Sequence, residues 1–204
     1  MTNSPLNKNL STESFLITRQ QKEAINKQKA FVIWLTGLSG SGKSTIARNL
    51  EVSLFNMGVH TLILDGDNTR MSINRDLDFS ATGRQENIRR VAEIAKLLND
   101  AGVVVITAFI SPYIADRSMA KTIIGEECFV EVFVDSPLKV CIERDAKGLY
   151  KKAINGELKD FTGISSPYEK PVNPKITLLT ANESIGESVN RLVNCLKYSQ
   201  FVKE

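Results

Sequence analysis

Histidine is nearly missing from this 204-residue chain: His60 is the only one, and it stands at the entry to a strand-like run. One histidine at a surface or edge position excludes histidine-based catalytic triads and histidine metal clusters. Cysteine is also scarce. Cys128, Cys141 and Cys195 are odd in number, widely spaced and set in apolar or helical contexts, matching neither a zinc nor a disulfide pattern. They read as reduced packing residues in a cytosolic protein. Aromatic residues make up only 7% of the chain and no basic run occurs, so a nucleic-acid footprint is not expected. A formal charge of +3 argues for no membrane surface either. No apolar run approaches the roughly 20 residues that span a bilayer, and residues 1–28 lack the apolar core of a secretory signal. The expectation is a soluble, cytoplasmic protein.

What is present is a rhythm. The length suits one domain with a real core. Residues 1–28 read as an arm, its first stretch polar and mobile, with a short helix from Thr18 where Thr18 and Gln21 fit a capping box. From residue 29 to 204 strands alternate with helices. "FVIWLT" (31–36) is apolar throughout, the mark of a strand buried on both faces. "TLILD" (61–65), "VVVITAF" (103–109), "FVEVFVD" (129–135) and "ITLLT" (176–180) follow as further strands. Between them lie amphipathic helices, one through Ile46, Leu50, Leu54 and Met57, another through Ile88, Val91, Ile94 and Leu98. Two more helices are entered through Pro112 and Pro137, and a last one runs through Ile185, Val189, Leu192 and Leu196. The pattern predicts an α/β domain with a five-stranded parallel sheet flanked by helices.

The first strand runs into "GLSGSGKST", in which Gly37, Gly42, Lys43 and Ser44 complete the phosphate-loop pattern G-x-x-x-x-G-K-[ST]. Glycines let the backbone wrap a phosphate with N–H groups pointing inward, and a helix starting at Lys43 adds its positive end. Lys43 would reach the β/γ-phosphates and the Ser44 hydroxyl would ligate Mg²⁺. A strand before the loop and an amphipathic helix after it are the context that separates this motif from a chance glycine-rich turn.

Such loops serve switches, motors and small-molecule kinases. A guanine-nucleotide switch wants N-K-x-D, which is absent, and "DAKG" (145–148) and "DFTG" (160–163) come too late in the chain order. "VVVITAFIS" carries no acid at the strand end, as larger ATPases would require, whereas "TLILDGD" does. An acid there suits a kinase, which needs a base or metal contact near the acceptor hydroxyl. "DGDNTR" puts Asp65, Asp67, Asn68 and Arg70 at the strand-end crevice, although the same residues would serve an ordinary solvated turn. "GRQENIRR" places Arg84 and Asn87 on one helical face, making with Arg70 a site for an anionic acceptor, while Arg89 and Arg90 point elsewhere.

Taken in order, "GLSGSGKST", "DGDNTR", "RQENIRRVAEIAKLL", "AFISPY", "RDAKGLYKKA" and "FTGISSPYEKP" resemble the adenylylsulfate kinase family over residues 18–200. The resemblance implies a P-loop nucleoside-kinase fold, a mobile lid at about 147–172 and a homodimer. It also implies transfer of the γ-phosphoryl of ATP to the 3′-hydroxyl of adenylyl sulfate, with Mg²⁺. Residue by residue, it implies that Gly37, Leu38, Ser39, Gly40, Ser41, Gly42, Lys43, Ser44 and Thr45 hold the ATP phosphates. Ser44 and Asp65 would take the metal, and either Asp65 or Asp67 would be the base. Arg70, Arg84, Asn87 and the backbone of Ile110 and Ser111 would bind the acceptor. Phe79 and Phe161 would sandwich its adenine and Lys147 would reach the phosphates or sulfate. Ser111 matches a serine proposed as a phosphoserine intermediate in bacterial members, yet "AFISPY" offers no neighbouring base to activate it. Thr69 stands where valine is more usual, and the arm lacks a tryptophan or histidine before "ITR". Two rivals remain at this stage: another small-metabolite kinase, for gluconate or shikimate, and a catalytically silent sensor of 3′-phosphoadenylyl sulfate.

Overall fold

The computed structural model describes residues 13 and 15–202; the expected mobility of the first stretch lies outside the described residues. Helix α1 (Arg19–Asn26) opens on the predicted capping box, Thr18 and Gln21 each bonding the other's backbone. The strands are β1 (Val32–Thr36), β2 (Thr61–Asp65), β3 (Val104–Ala108), β4 (Phe129–Asp135) and β5 (Ile176–Leu179). They form one parallel sheet in the order β2-β3-β1-β4-β5. β1 is central, and this explains its unbroken apolar sequence. Phe31, Ile33 and Leu35 face a core shared with α2 (Lys43–Asn56) and α8 (Ile185–Tyr198). Val32 and Trp34 face a second core under α4 (Ala81–Asp100) and α5 (Ile114–Ile124). Period-2 alternation along one strand thus feeds both layers of the sandwich.

Most expected helix faces are buried as read, including Ile46, Leu50 and Leu54 on α2 and Val189, Leu192 and Leu196 on α8. The outer ends of two stripes are not. Met57 lies beyond the end of α2 and Ile185 in the first turn of α8, where neither reaches the sheet, and both are exposed. Two helices were not predicted. "GDNTRM" forms α3 (Gly66–Met71), with the Asp65 side chain accepting from the Asp67 amide as its cap. The polar stretch after β4 and α6 (Leu138–Arg144) contains α7 (Leu149–Ile154), whose Tyr150 and Lys151 amides bond to the Asp145 carboxylate. His60 is exposed, Cys128 and Cys141 are buried, Cys195 is partly so, and all three thiols are free.

The chain reaches β3 on one side of β1 and then crosses through α5 to β4 on the other. In a parallel sheet this reversal opens a crevice above the carboxyl ends of the strands, where ligands bind. Residues 37–45, 65–71 and 109–113 all leave strands at that end.

Candidate active site

The loop 37–45 leaves central β1 and turns into α2. A Cβ at Gly37 would lie 2.4 Å from the Val134 carbonyl oxygen, so only glycine permits this close approach. Gly42 (φ +103°) is the N-cap of α2 and offers no side-chain acceptor, leaving the first-turn amides without a capping partner. Three of the loop's carbonyls are occupied from outside. Tyr150 Oη donates to Ser39 O at 2.9 Å, Arg144 to Gly40 O at 3.3 Å and Thr180 Oγ1 to Ser41 O at 2.7 Å. With the Ser39, Gly40 and Ser41 carbonyls tied outward and helix-end amides unclaimed, the loop has the polarity of an anion cradle. Tyr150, Arg144 and Thr180 were not identified from the sequence, since no local motif announces partners so distant in the chain.

Lys43 is buried, its Nζ donating to Gly37 O (2.9 Å) and Leu38 O (2.7 Å). Burial pulls its pKa down from the ordinary 10.5 to about 8, with Cys141 and Asp65 opposing the shift. A phosphate beside it would restore the charged form.

Across the crevice, Ser44 Oγ donates to Asp65 Oδ2 at 2.7 Å, and Asp65 Oδ1 accepts from the Asp67 amide at 3.0 Å. One hydroxyl and one carboxylate, both hard oxygen donors, fit Mg²⁺, which keeps waters and shares substrate phosphate oxygens. Among the described residues there is no cluster of three or more acidic, histidine or cysteine groups, so a cage built wholly from such side chains is not on offer. Asp67 and Lys147 are exposed and form an ion pair across the mouth. Thr69 is buried, and its hydroxyl bonds to Asp65 O (3.0 Å) and Gly66 O (3.1 Å), so the threonine costs no unsatisfied polar group.

On the side where the sequence led us to expect the acceptor stand two arginines. Arg70 lies over the Phe79 ring, 4.2 Å from its centroid, and donates to Leu77 O and Asp78 O. Arg84 donates to Phe79 O (2.8 Å), Thr162 Oγ1 (2.7 Å) and Asp160 O. It therefore joins the loop carrying Phe79 to the loop carrying Phe161. Phe79 is 61% exposed, and Phe161 is half-buried, edge-on to Tyr150 at 5.1 Å. Asn87, on the same helix as Arg84, is buried, and its Oδ1 accepts from Asn74 Nδ2 at 3.0 Å. Arg89 and Arg90 pair with Glu86, and Arg90 also with Asp76, as solvated helix charges do.

Ser111 is buried and left-handed (φ +38°). Its Oγ accepts from Trp34 Nε1 at 3.1 Å and lies 3.4 Å from Phe109 O. Among the described residues, no carboxylate or imidazole is a hydrogen-bond partner of this hydroxyl. A cavity of about 690 Å³ opens between Leu38, Phe133, Asp135, Ile164 and Tyr168.

A glycine loop with unclaimed helix-end amides on the central strand, a serine–aspartate oxygen pair beside it and the five-stranded parallel sheet beneath define a P-loop kinase. The sequence model of the family described as adenylylsulphate kinase matches residues 29–179, three-quarters of the chain, and the chain belongs to that family. An adenylyl-sulfate kinase of Clostridium acetobutylicum is 54% identical over 181 residues, covering 89% of this chain and 90% of that protein. One from Aeromonas salmonicida is 50% identical over 194 residues, covering 95% and 99%. Among solved structures, the Mycobacterium tuberculosis APS kinase CysC in complex with AMPPNP and APS superposes with a TM-score of 0.80. It is 43% identical, with 83% of this chain and 99% of that chain covered.

Proposed function

We propose that this chain phosphorylates adenylyl sulfate at its 3′-hydroxyl with ATP, by direct in-line transfer. The observation that carries the reading is the pairing of the Lys43 cradle with the Arg84 bridge between the two phenylalanine loops. A gluconate or shikimate kinase has no need for aromatics flanking a planar base, and a silent sensor has no need for the intact Lys43, Ser44 and Asp65 set.

In this reading residues 37–45 bind the triphosphate through backbone amides, and Lys43 offsets the charge that develops on the transferred group. Ser44 and Asp65 would hold Mg²⁺, which when bound neutralises charge on the phosphate oxygens. Asp65 is fixed by Ser44 and the Asp67 amide and serves that metal side; Asp67 accepts the proton of the acceptor hydroxyl. Arg70, Arg84 and Asn87 orient the anionic acceptor together with the backbone at Ile110 and Ser111. Phe79 and Phe161 take its adenine. Lys147 moves from Asp67 to the phosphates or sulfate as residues 147–172 close and exclude water. Ser111 positions and does not carry the phosphoryl group: its Oγ is buried against an indole N–H and lacks an activating base. Assembly as a homodimer is part of the same reading, and no described helix is long and apolar enough to cross a membrane.

Release of ADP with adenylyl sulfate, gluconate and shikimate compared side by side tests the assignment. Turnover with adenylyl sulfate alone is expected. Turnover with either other acceptor, or with none, would reject it.

A further inference from the structure

The turn that leaves β3 is held in a conformation its own sequence does not favour. A non-glycine residue at positive φ costs on the order of 1–3 kcal/mol and persists where its surroundings over-determine it. Ser111 is such a residue, and its carbonyl accepts from Thr36 Oγ1 at 3.3 Å and, more closely, from Arg117, one turn into α5. Arg117 is only 3% exposed. Its Nη1 donates to Ser111 O at 2.7 Å, its Nη2 to Glu169 O at 2.8 Å and its Nε to the Glu131 carboxylate at 2.8 Å. One planar guanidinium therefore joins three separate pieces: the acceptor turn, the end of the lid and the central layer of the sheet.

A second path runs in parallel. Tyr168, beside Glu169 in the lid, makes a 2.9 Å hydroxyl–hydroxyl bond with Thr36 at the end of β1. Thr36 Oγ1 in turn donates to Ile110 O at 2.8 Å. The Tyr168 ring stacks on Phe133 and lies under the Arg117 guanidinium. The backbone closes the circuit, with Glu169 N donating to Pro112 O at 2.8 Å and Ile114 N to the Glu169 carboxylate at 2.7 Å. Pro112 and Ile114 bond directly to Glu169, while Ile110 and Ser111 are linked to residues 168–169 through Thr36 and Arg117. These bonds join the lid's end to the acceptor turn, and Lys147, at the lid's other end, makes its contact with Asp67 outside them.

We propose that Arg117, supported by Tyr168, is a positioning residue for the acceptor. It holds the left-handed Ser111 turn in register with the lid, so that the backbone at 110–111 is presented correctly when the acceptor docks. This rests on the proposed function above. The arginine's fork matters more than its charge, because a lysine in the same place carries one point charge and cannot span three acceptors in a plane.

The test compares Arg117→Lys and Tyr168→Phe with the parent protein. Adenylyl sulfate and a non-hydrolysable ATP analogue are titrated separately, KM and kcat are measured for both substrates, and thermal melts run alongside. Arg117→Lys is expected to raise the acceptor's KM and Kd about tenfold, the loss of one charge-assisted hydrogen bond, with the ATP analogue's Kd changed less than about twofold. Tyr168→Phe is expected to show the same selectivity at a smaller size. Acceptor affinity unchanged in both variants, or equal losses for both ligands, would overturn the proposal. If Arg117→Lys melts below the assay temperature, Tyr168→Phe decides alone: selective acceptor loss supports the proposal and unchanged acceptor affinity refutes it. A parent protein inactive toward adenylyl sulfate but still binding the ATP analogue would instead reject the proposed function.

Discussion

Raising the pH from 7 to 9 should weaken nucleotide binding, and the size of the loss follows from Lys43. Burial lowers its pKa to about 8 in the free protein. Phosphate oxygens beside the ammonium favour the charged form and move the pKa of the complex back up. Between the two values, each unit of pH lowers affinity by up to tenfold, because binding must restore the one proton that the free amine has lost. With a free pKa of about 8 and a bound form protonated throughout, affinity falls about 10-fold between pH 7 and pH 9, or about 1.4 kcal/mol. The second ionisation of a phosphate, near pH 6, is about complete before this window opens. Stability without nucleotide moves the other way. The unfolded chain, with the ordinary pKa of 10.5, binds more protons between pH 8 and 10.5. The cost of burying the charged amine is therefore fully present below pH 8 and is relieved as pH rises toward 10.5. Calorimetric titration of an ATP analogue in two buffers of unlike ionisation enthalpy reads both affinity and protons taken up. About half a proton per nucleotide is expected at pH 8. Flat affinity from pH 7 to 9 with no proton uptake would refute the reasoning, as would the same pH profile in Lys43→Ala.

Lys43→Ala should lower turnover by roughly 10²-fold or more, from about 3 kcal/mol of lost electrostatic stabilisation, and steady-state kinetics with an intact melt would show it. Phe79→Ala, at an exposed ring, should cost about 1–3 kcal/mol of acceptor binding, a value taken from base–aromatic stacking, with no change in melting temperature. Phe161→Ala should show a similar binding loss together with a small destabilisation, about 0.5–1.5 kcal/mol for the edge contact with Tyr150; calorimetry and melts separate the two effects. Ser111→Ala should keep a substantial fraction of kcat, since alanine preserves the backbone, and near-complete loss would favour a covalent role.

The sheet and the phosphate loop were legible because each rests on local sequence. Residues 31–36 are apolar on both faces of a central strand, and the motif spacing of Gly37, Gly42, Lys43 and Ser44 is dictated by phosphate geometry. Helix α3 was not legible, since Gly66, Asp67 and Asn68 have weak helix propensity and turn chemistry of their own; the Asp65 cap and the following packing decide the matter. α7 was hidden in the same way by its polar surroundings. The site's supports were harder still. Tyr150 on Ser39, Thr180 on Ser41 and Arg117 on Ser111 are tertiary hydrogen bonds, two of them spanning more than a hundred residues. Asn87 was placed on the correct helix, but its burial depends on Asn74, which no periodicity marks.

The most direct test of the central claim uses ATP made chiral and labelled at the γ-phosphoryl group, incubated with adenylyl sulfate and the intact protein. Direct transfer predicts label in the acceptor's 3′-phosphate with inverted configuration at phosphorus, and none on the protein when ATP is supplied alone. Retention of configuration with stoichiometric, chemically competent label on Ser111 would contradict direct transfer. Absence of label from adenylyl sulfate would contradict the activity itself.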